Sequence, residues 1–99
     1  MSDTISDTLV EKDMALTRED FARLLPEAAH GLPWRVEDGV YRIGGAAGVD
    51  IRLEPLPDRR IALIALPRLR VTLAFHGWPA EEQRAFLHRF DTAFRRGGG

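Results

Sequence analysis

The sequence lacks cysteine entirely and contains only two serines, and each shortage removes a class of chemistry. Without cysteine there is no disulfide, thiolate nucleophile, iron–sulfur cluster or cysteine-bound zinc. The only serines are Ser2 and Ser6, so none is placed to act as a hydrolase nucleophile. The three histidines lack the spacing of a zinc-binding helix, and no two of the scattered acids stand out as a general acid and base. We therefore predict no catalytic residues, no metal, no cofactor and no enzymatic activity.

Long hydrophobic runs are also missing. The longest, Ile61 to Leu66, ends at Pro67 and is far shorter than the roughly 18–20 residues that cross a bilayer. The opening residues are polar and acidic, whereas a secretory signal has a basic start followed by an apolar run. We therefore expect a cytoplasmic protein with no membrane partner.

The composition is typical of a small soluble domain, with 99 residues, 44% hydrophobic and 29% charged, and a net charge of -1. The charge is uneven, because residues 1–20 hold six acidic and two basic side chains, whereas the rest holds nine acids and twelve arginines. Apolar residues are sparse in residues 1–15, which we predict to be a disordered acidic leader. Residues 16–96 are expected to form a single domain, and residues 97–99 a flexible glycine tail.

Two segments have the capping residues and periodicity of amphipathic helices. The first begins with Thr17 as N-cap and Asp20 at the capping-box position. Pro26 leaves two endings open, a stop at the residue before it or a kinked helix that continues to His30. The second helix begins near Pro79, which suits a first helical position. The expected core-facing residues of the two helices are Phe21, Leu24, Leu25, Ala28, Phe86, Leu87, Phe90, Ala93 and Phe94.

Between these helices the pattern is that of strands. Trp34 to Ile43 predicts a hairpin around a type I′ loop at Asp38-Gly39. Gly44 to Gly48 is interpreted as a flexible connection rather than a phosphate cradle, because a strand and not a helix follows it. Val49 to Glu54 alternate between apolar and polar side chains, which predicts a third strand.

The next segment offers two interpretations. We place a turn at Pro55 to Asp58, followed by a central strand at Ile61 to Leu66, which is apolar on both faces. Pro67-Arg68 is then either another tight turn or a bend within one long strand that includes Leu69 to Phe75. The predicted fold is α+β, a two-layer sandwich in the order helix, four or five antiparallel strands, helix, with both helices on one face of the sheet.

Arginines on the polar sheet face give the best functional lead. The strand alternation places them among acids on the face that the helices leave open, and a histidine and a tryptophan mark the corner between sheet and last helix. The predicted binding residues are Arg35, Arg42, Arg52, Arg70, His76 and Trp78.

Mixed charge and free strand edges indicate a binding protein. A face of Arg, Asp and Glu is self-complementary, so we predict a protein partner, as a homodimer or an adaptor, through this face or an edge strand. Two alternatives stay open. One is a small ligand in a cleft between helices and sheet, and the other is weak binding of single-stranded nucleic acid by the arginines. The interleaved acids and the lack of stacking aromatics on this face count against nucleic acid.

Overall fold

The computed structural model describes residues 7–97, which form five strands and two helices. The elements are β1 (Thr8–Met14), α1 (Arg18–Ala29), β2 (Trp34–Glu37), β3 (Val40–Gly44), β4 (Gly48–Ile61), β5 (Ile64–His76) and α2 (Ala80–Gly97). The strands make one antiparallel sheet in the order β1-β5-β4-β3-β2. The predicted α+β class and antiparallel sheet are confirmed. One strand that was not predicted, β1, precedes the first helix.

Local capping signals define α1 as predicted. Thr17 is the N-cap, and its Oγ1 accepts a hydrogen bond of 3.1 Å from the backbone N–H of Asp20. Pro26 lies inside the helix on its exposed side, and the helix continues past it to Ala29. His30 then adopts a left-handed conformation with φ of 53°, so the longer of the two predicted endings is the correct one.

The hairpin of β2 and β3 has the predicted register. Trp34 lies opposite Ile43 and Val36 opposite Tyr41. Asp38 and Gly39 have φ of 51° and 77°, the two left-handed residues that a type I′ loop requires.

The predicted turn at residues 55–58 and the predicted central strand at residues 61–66 are both wrong. Strands β4 and β5 form one long hairpin instead, whose turn is Ala62-Leu63 and whose only irregularity is a bulge between Leu56 and Arg59. The alternative of one bent strand through Pro67 is therefore correct. The prolines are tolerated because these parts of β4 and β5 extend beyond their pairing with β3 and β1, where a strand has a free edge that needs no amide donor.

The prediction of a disordered leader is wrong for residues 8–14. These residues form β1, which pairs with β5 from Thr8 opposite Phe75 to Met14 opposite Leu69. Their sparse apolar side chains find a partner because Val10 and Met14 pack against the core. Residues 1–6 lie outside the described part of the chain, as do Gly98 and Gly99 of the predicted tail, whereas Gly97 ends α2.

Aromatic rings of the two helices pack against the sheet and against each other. The fully buried ring of Phe21 in α1 lies 5.3 Å from Tyr41 of β3 and 4.9 Å from Phe94 of α2. Phe86 of α2 lies 5.8 Å from Phe75 of β5. This core occupies one end of an elongated molecule, with extents of 54 × 25 × 24 Å, because the end of the β4–β5 hairpin extends beyond it.

Candidate functional site

Four charged side chains and one histidine, from four strands, form a connected group on the polar sheet face, here called the charged network. Its members are Arg35, Glu37, Arg42, Asp50 and His76. Arg42 is central, because its Nε donates to Glu37 and its Nη1 to Asp50, both at 2.8 Å. Arg35 makes a second ion pair with Glu37 at 3.1 Å. Strand register explains the group, since Arg42 lies opposite Arg35 on one side and Asp50 on the other.

The loop between β3 and β4 holds the histidine end of the charged network. The Nδ1 of His76 lies 3.0 Å from the carbonyl oxygen of Ala46, and its Nε2 lies 3.6 Å from Asp50 Oδ1. The chain is closely packed where β4 begins, because a Cβ on Gly48 would lie 2.1 Å from the carbonyl oxygen of Ile43. The predicted connection is thus a short turn between Gly44 and Gly48, and its flexibility stays a prediction.

The acidic and basic side chains of the charged network interact mainly with one another. A hydrogen bond from Arg35 and the positive charges of Arg35 and Arg42 lower the pKa of Glu37. The negative charge of Asp50 is the largest influence that raises the pKa of Arg42. The network borders a solvent-open depression of about 280 Å³. Its arginines are thus already satisfied by acids of the same sheet, which weakens their attraction for a phosphate.

The remaining predicted binding residues lie apart from the charged network. Arg70 pairs with Glu54 at 3.2 Å, two residues further along the β4–β5 ladder than Arg52. Arg52 is exposed and makes no ion pair with any residue between 7 and 95. Trp78 packs on the core side, 5.7 Å from Phe75. The structure therefore brings together Arg35, Arg42 and His76 of the six predicted residues.

The aromatic residues expected at the rim of a ligand cleft, Trp34, Tyr41 and Trp78, lie in two separate places. Trp78 packs against Phe86 at 5.5 Å, while Trp34 lies near Tyr41 at 6.4 Å, so the three do not frame one cavity. A larger depression of about 550 Å³ lies between the end of β1 and the last turns of α2, next to Met14 and Phe94. Within residues 7–97, no three His, Asp or Glu side chains are grouped to hold a metal ion. In the same range no helix is both long and apolar enough to cross a bilayer.

Comparison with known proteins adds no assignment. No family model, curated protein or solved structure matches the chain.

Two exposed apolar surfaces were missed by the sequence patterns. The outer strand β2 leaves Trp34 40% exposed and Val36 50% exposed. The end of the β4–β5 hairpin leaves Ile61, Leu63 and Ile64 between 53% and 102% exposed. Alternation showed which face Trp34 and Val36 share, but it carries no information on whether a helix covers that part of the face. Arginines on both sides of the Ile61–Leu66 run were the one feature of the sequence that could have indicated that this run is not a central strand.

Proposed function

We propose that this chain is a non-catalytic protein-binding module, and that it pairs the free edge of β2 with β2 of a second copy. The single observation that supports the proposal is the exposure of β2 along its whole length, with two large apolar side chains on a strand that has no neighbour beyond it among the described residues. A strand edge of this kind presents unpaired amides and carbonyls to another chain.

The proposal includes a layered arrangement, with both helices on one sheet face. Phe21 of α1 contacts Tyr41, and Phe86 of α2 contacts Phe75. Tyr41 lies opposite Ile51, which lies opposite Leu73, so the alternation of side chains gives Tyr41 and Phe75 the same face. Under this arrangement Trp34 and Val36 lie at the rim of the helix-covered face, and an added strand would extend the apolar layer.

Hairpin geometry identifies which backbone groups of β2 face outward. In a two-residue hairpin the residues that flank the loop, Glu37 and Val40, form a hydrogen-bonded pair, and such pairs alternate along the ladder. Val36 and Trp34 are thus in non-bonded positions relative to β3. Their N–H and C=O groups therefore point towards the free edge.

Charge complementarity selects a register for the second copy. If the two-fold axis passes beside Val36, the two Val36 residues form a hydrogen-bonded pair and Arg35 lies opposite Glu37 of the second copy. Shifting the axis to Arg35 would instead place the two Arg35 side chains opposite each other, which is unfavourable. The first register also joins the two charged networks into one continuous set of ion pairs.

The other sheet edge is less suited to this role. The outer strand β1 carries Glu11, Lys12 and Asp13 in succession, and charges on an edge discourage pairing. Its exposed apolar residue, Leu9, has no exposed apolar neighbour on the same strand face, where Glu11 follows it. Leu9 therefore offers a matched control position.

The test compares Val36→Lys with Leu9→Lys by native mass spectrometry and sedimentation velocity. We expect the wild type and Leu9→Lys to be dimers, and Val36→Lys to be a monomer, because it places two ammonium groups at the two-fold axis. Arg35→Glu should weaken the dimer, and Arg35→Glu combined with Glu37→Arg should restore it. A monomeric wild type, or a dimer that survives Val36→Lys, would refute the proposal. Circular dichroism confirms that each variant is folded.

A further inference from the structure

The free end of the β4–β5 hairpin is an apolar apex supported by arginines. We call residues 58–67 the hairpin tip. Its ladder pairs are Ile61 with Ile64, Arg60 with Ala65 and Arg59 with Leu66, and the turn is Ala62-Leu63. The described β1 and β3 pairings end before this segment, so both outer edges of the tip are free.

The apex exposes more apolar side chain than a solvent-facing turn usually does. Ile61 is 53% exposed, Ile64 is 60% exposed and Leu63 is 102% exposed. Turns are normally built from Gly, Asn, Asp or Pro, whereas here Ala62 takes a left-handed φ of 55° and leucine follows it. Contiguous exposed apolar side chains usually mark a surface that another phase or molecule covers.

The shape of the hairpin tip favours a soft, flat acceptor. Because the tip lies at one end of a molecule 54 Å long and about 25 Å wide, its apex can reach an extended surface before the body of the domain touches it. The apex is convex and narrow, with a turn flanked by a single pair of isoleucines. A bilayer interface can deform around such an apex, whereas a protein acceptor would need a matching pocket.

The arginines lie at the depth where lipid phosphates would be. A strand rises about 3.3 Å per residue, so Arg60 and Arg59 lie roughly 3 and 7 Å behind the Ile61–Ile64 pair. Interfacial apolar groups enter a membrane by about 5–10 Å, which brings positions just behind them to the headgroups. Among residues 7–95 neither arginine has an acid within ion-pair distance, although Arg59 lies near enough to Asp13 of β1 for its charge to help lower the pKa of that carboxyl group. Asp58 is the one acid within the tip itself. The local charge is therefore complementary to anionic lipid.

We propose that the hairpin tip inserts into the interface of an anionic lipid bilayer, with Ile61, Leu63 and Ile64 at the acyl boundary and Arg59 and Arg60 at the phosphates. The proposal does not depend on the β2 dimer, because it uses a different end of the sheet. It is also compatible with the absence of a long apolar run, since a peripheral apex needs only a few residues to enter the membrane. The proposal departs from the expectation of no membrane partner, which rested on the lack of a long apolar run and of a secretory signal.

The experiment is co-sedimentation of the full chain with vesicles of phosphatidylcholine alone and with vesicles that also contain phosphatidylserine. We expect binding to the anionic vesicles and its loss in Leu63→Asp. Arg59→Gln combined with Arg60→Gln should reduce partitioning by about fivefold per arginine, and should remove the preference for anionic lipid. Leu9→Asp and Arg52→Gln are matched controls, since both residues are exposed but lie away from the tip, and both variants should bind like the wild type.

Three results would overturn the proposal. One is a wild type that does not bind anionic vesicles, and another is equal binding to neutral and anionic vesicles. The third is an effect of Leu63→Asp on the oligomeric state with no effect on vesicle binding, which would show that protein and not lipid covers the tip. A second probe, Leu63→Trp, should give a blue-shifted fluorescence component only with anionic vesicles. An unshifted spectrum would contradict insertion.

Discussion

Replacing Phe21 with leucine tests whether α1 is held to the sheet and to α2 by a single aromatic ring. Phe21 is fully buried and lies 5.3 Å from Tyr41, 4.9 Å from Phe94 and 6.3 Å from Phe90. Truncation to alanine would cost about 3–5 kcal/mol, a large part of the roughly 5–15 kcal/mol that stabilises a domain. Leucine retains most of the buried volume but loses the ring contacts, so we expect a cost of about 1–3 kcal/mol.

A double-mutant cycle separates the ring contact from simple loss of volume. Phe21 and Phe94 are stacked with an interplanar angle of 22°, and stacked pairs contribute about 0.5–1.5 kcal/mol beyond their buried area. Urea unfolding of Phe21→Leu, Phe94→Leu and the double variant, followed by tryptophan fluorescence, should give a coupling energy in that range. The matched cycle pairs Phe21 with Phe75, whose ring contacts are Trp78 and Phe86, and should be additive. If the Phe21–Phe94 cycle is also additive, the helices are not joined through this ring.

Two further predictions concern the loop and the acid range. Gly48→Ala should lower the thermal midpoint of unfolding, because the added Cβ would lie 2.1 Å from a backbone oxygen. Gly45→Ala is the control, since its Cβ would meet nothing within 4 Å and the midpoint should not change. Equal midpoints for the two variants would contradict close packing at Gly48. Hydrogen bonds from Arg68 lower the pKa of Asp13 below its ordinary 3.8, so the pair stabilises the folded state above about pH 4 and loses this contribution as the pH falls through the lowered pKa. Midpoints of wild type and Asp13→Asn should therefore differ at neutral pH and converge in acid, and a constant difference in a thermal melt series would contradict this.

Short-range signals in the sequence predicted the local structure correctly. Thr17 as N-cap and the Asp38-Gly39 loop are decided by residues only a few positions away. Secondary-structure propensity gave wrong predictions where pairing with strands distant in the sequence determines the local structure. Proline ordinarily ends a strand, yet Pro55 and Pro67 are accommodated because the strand on the outer side of each, β3 for Pro55 and β1 for Pro67, ends before reaching it. No pattern within residues 8–14 indicates that β5 lies beside them.

The candidate site was predicted only in part for the same reason. Residue type and alternation identified Arg35 and Arg42 as members of one face. That Arg42 is paired with Asp50 depends on the β3–β4 register, which a loop closed by Gly44 and Gly48 determines. The exposure of apolar strand residues was the least predictable property. Their alternation along the strand is the same whether a helix covers them or they lie beyond the end of the helix.

The interior position of β5, between β1 and β4, has a consequence for how the chain folds during synthesis. This strand pairs with both β1 and β4, and Thr8 is joined to Phe75 across most of the sequence. Until β5 leaves the ribosome, β1 has no ladder partner and α1 lacks the ring of Phe94 that covers it. Contacts between distant residues slow folding and prolong exposure of apolar surface. The nascent chain should therefore stay sensitive to protease until both β5 and α2 have emerged, and then gain resistance in one step.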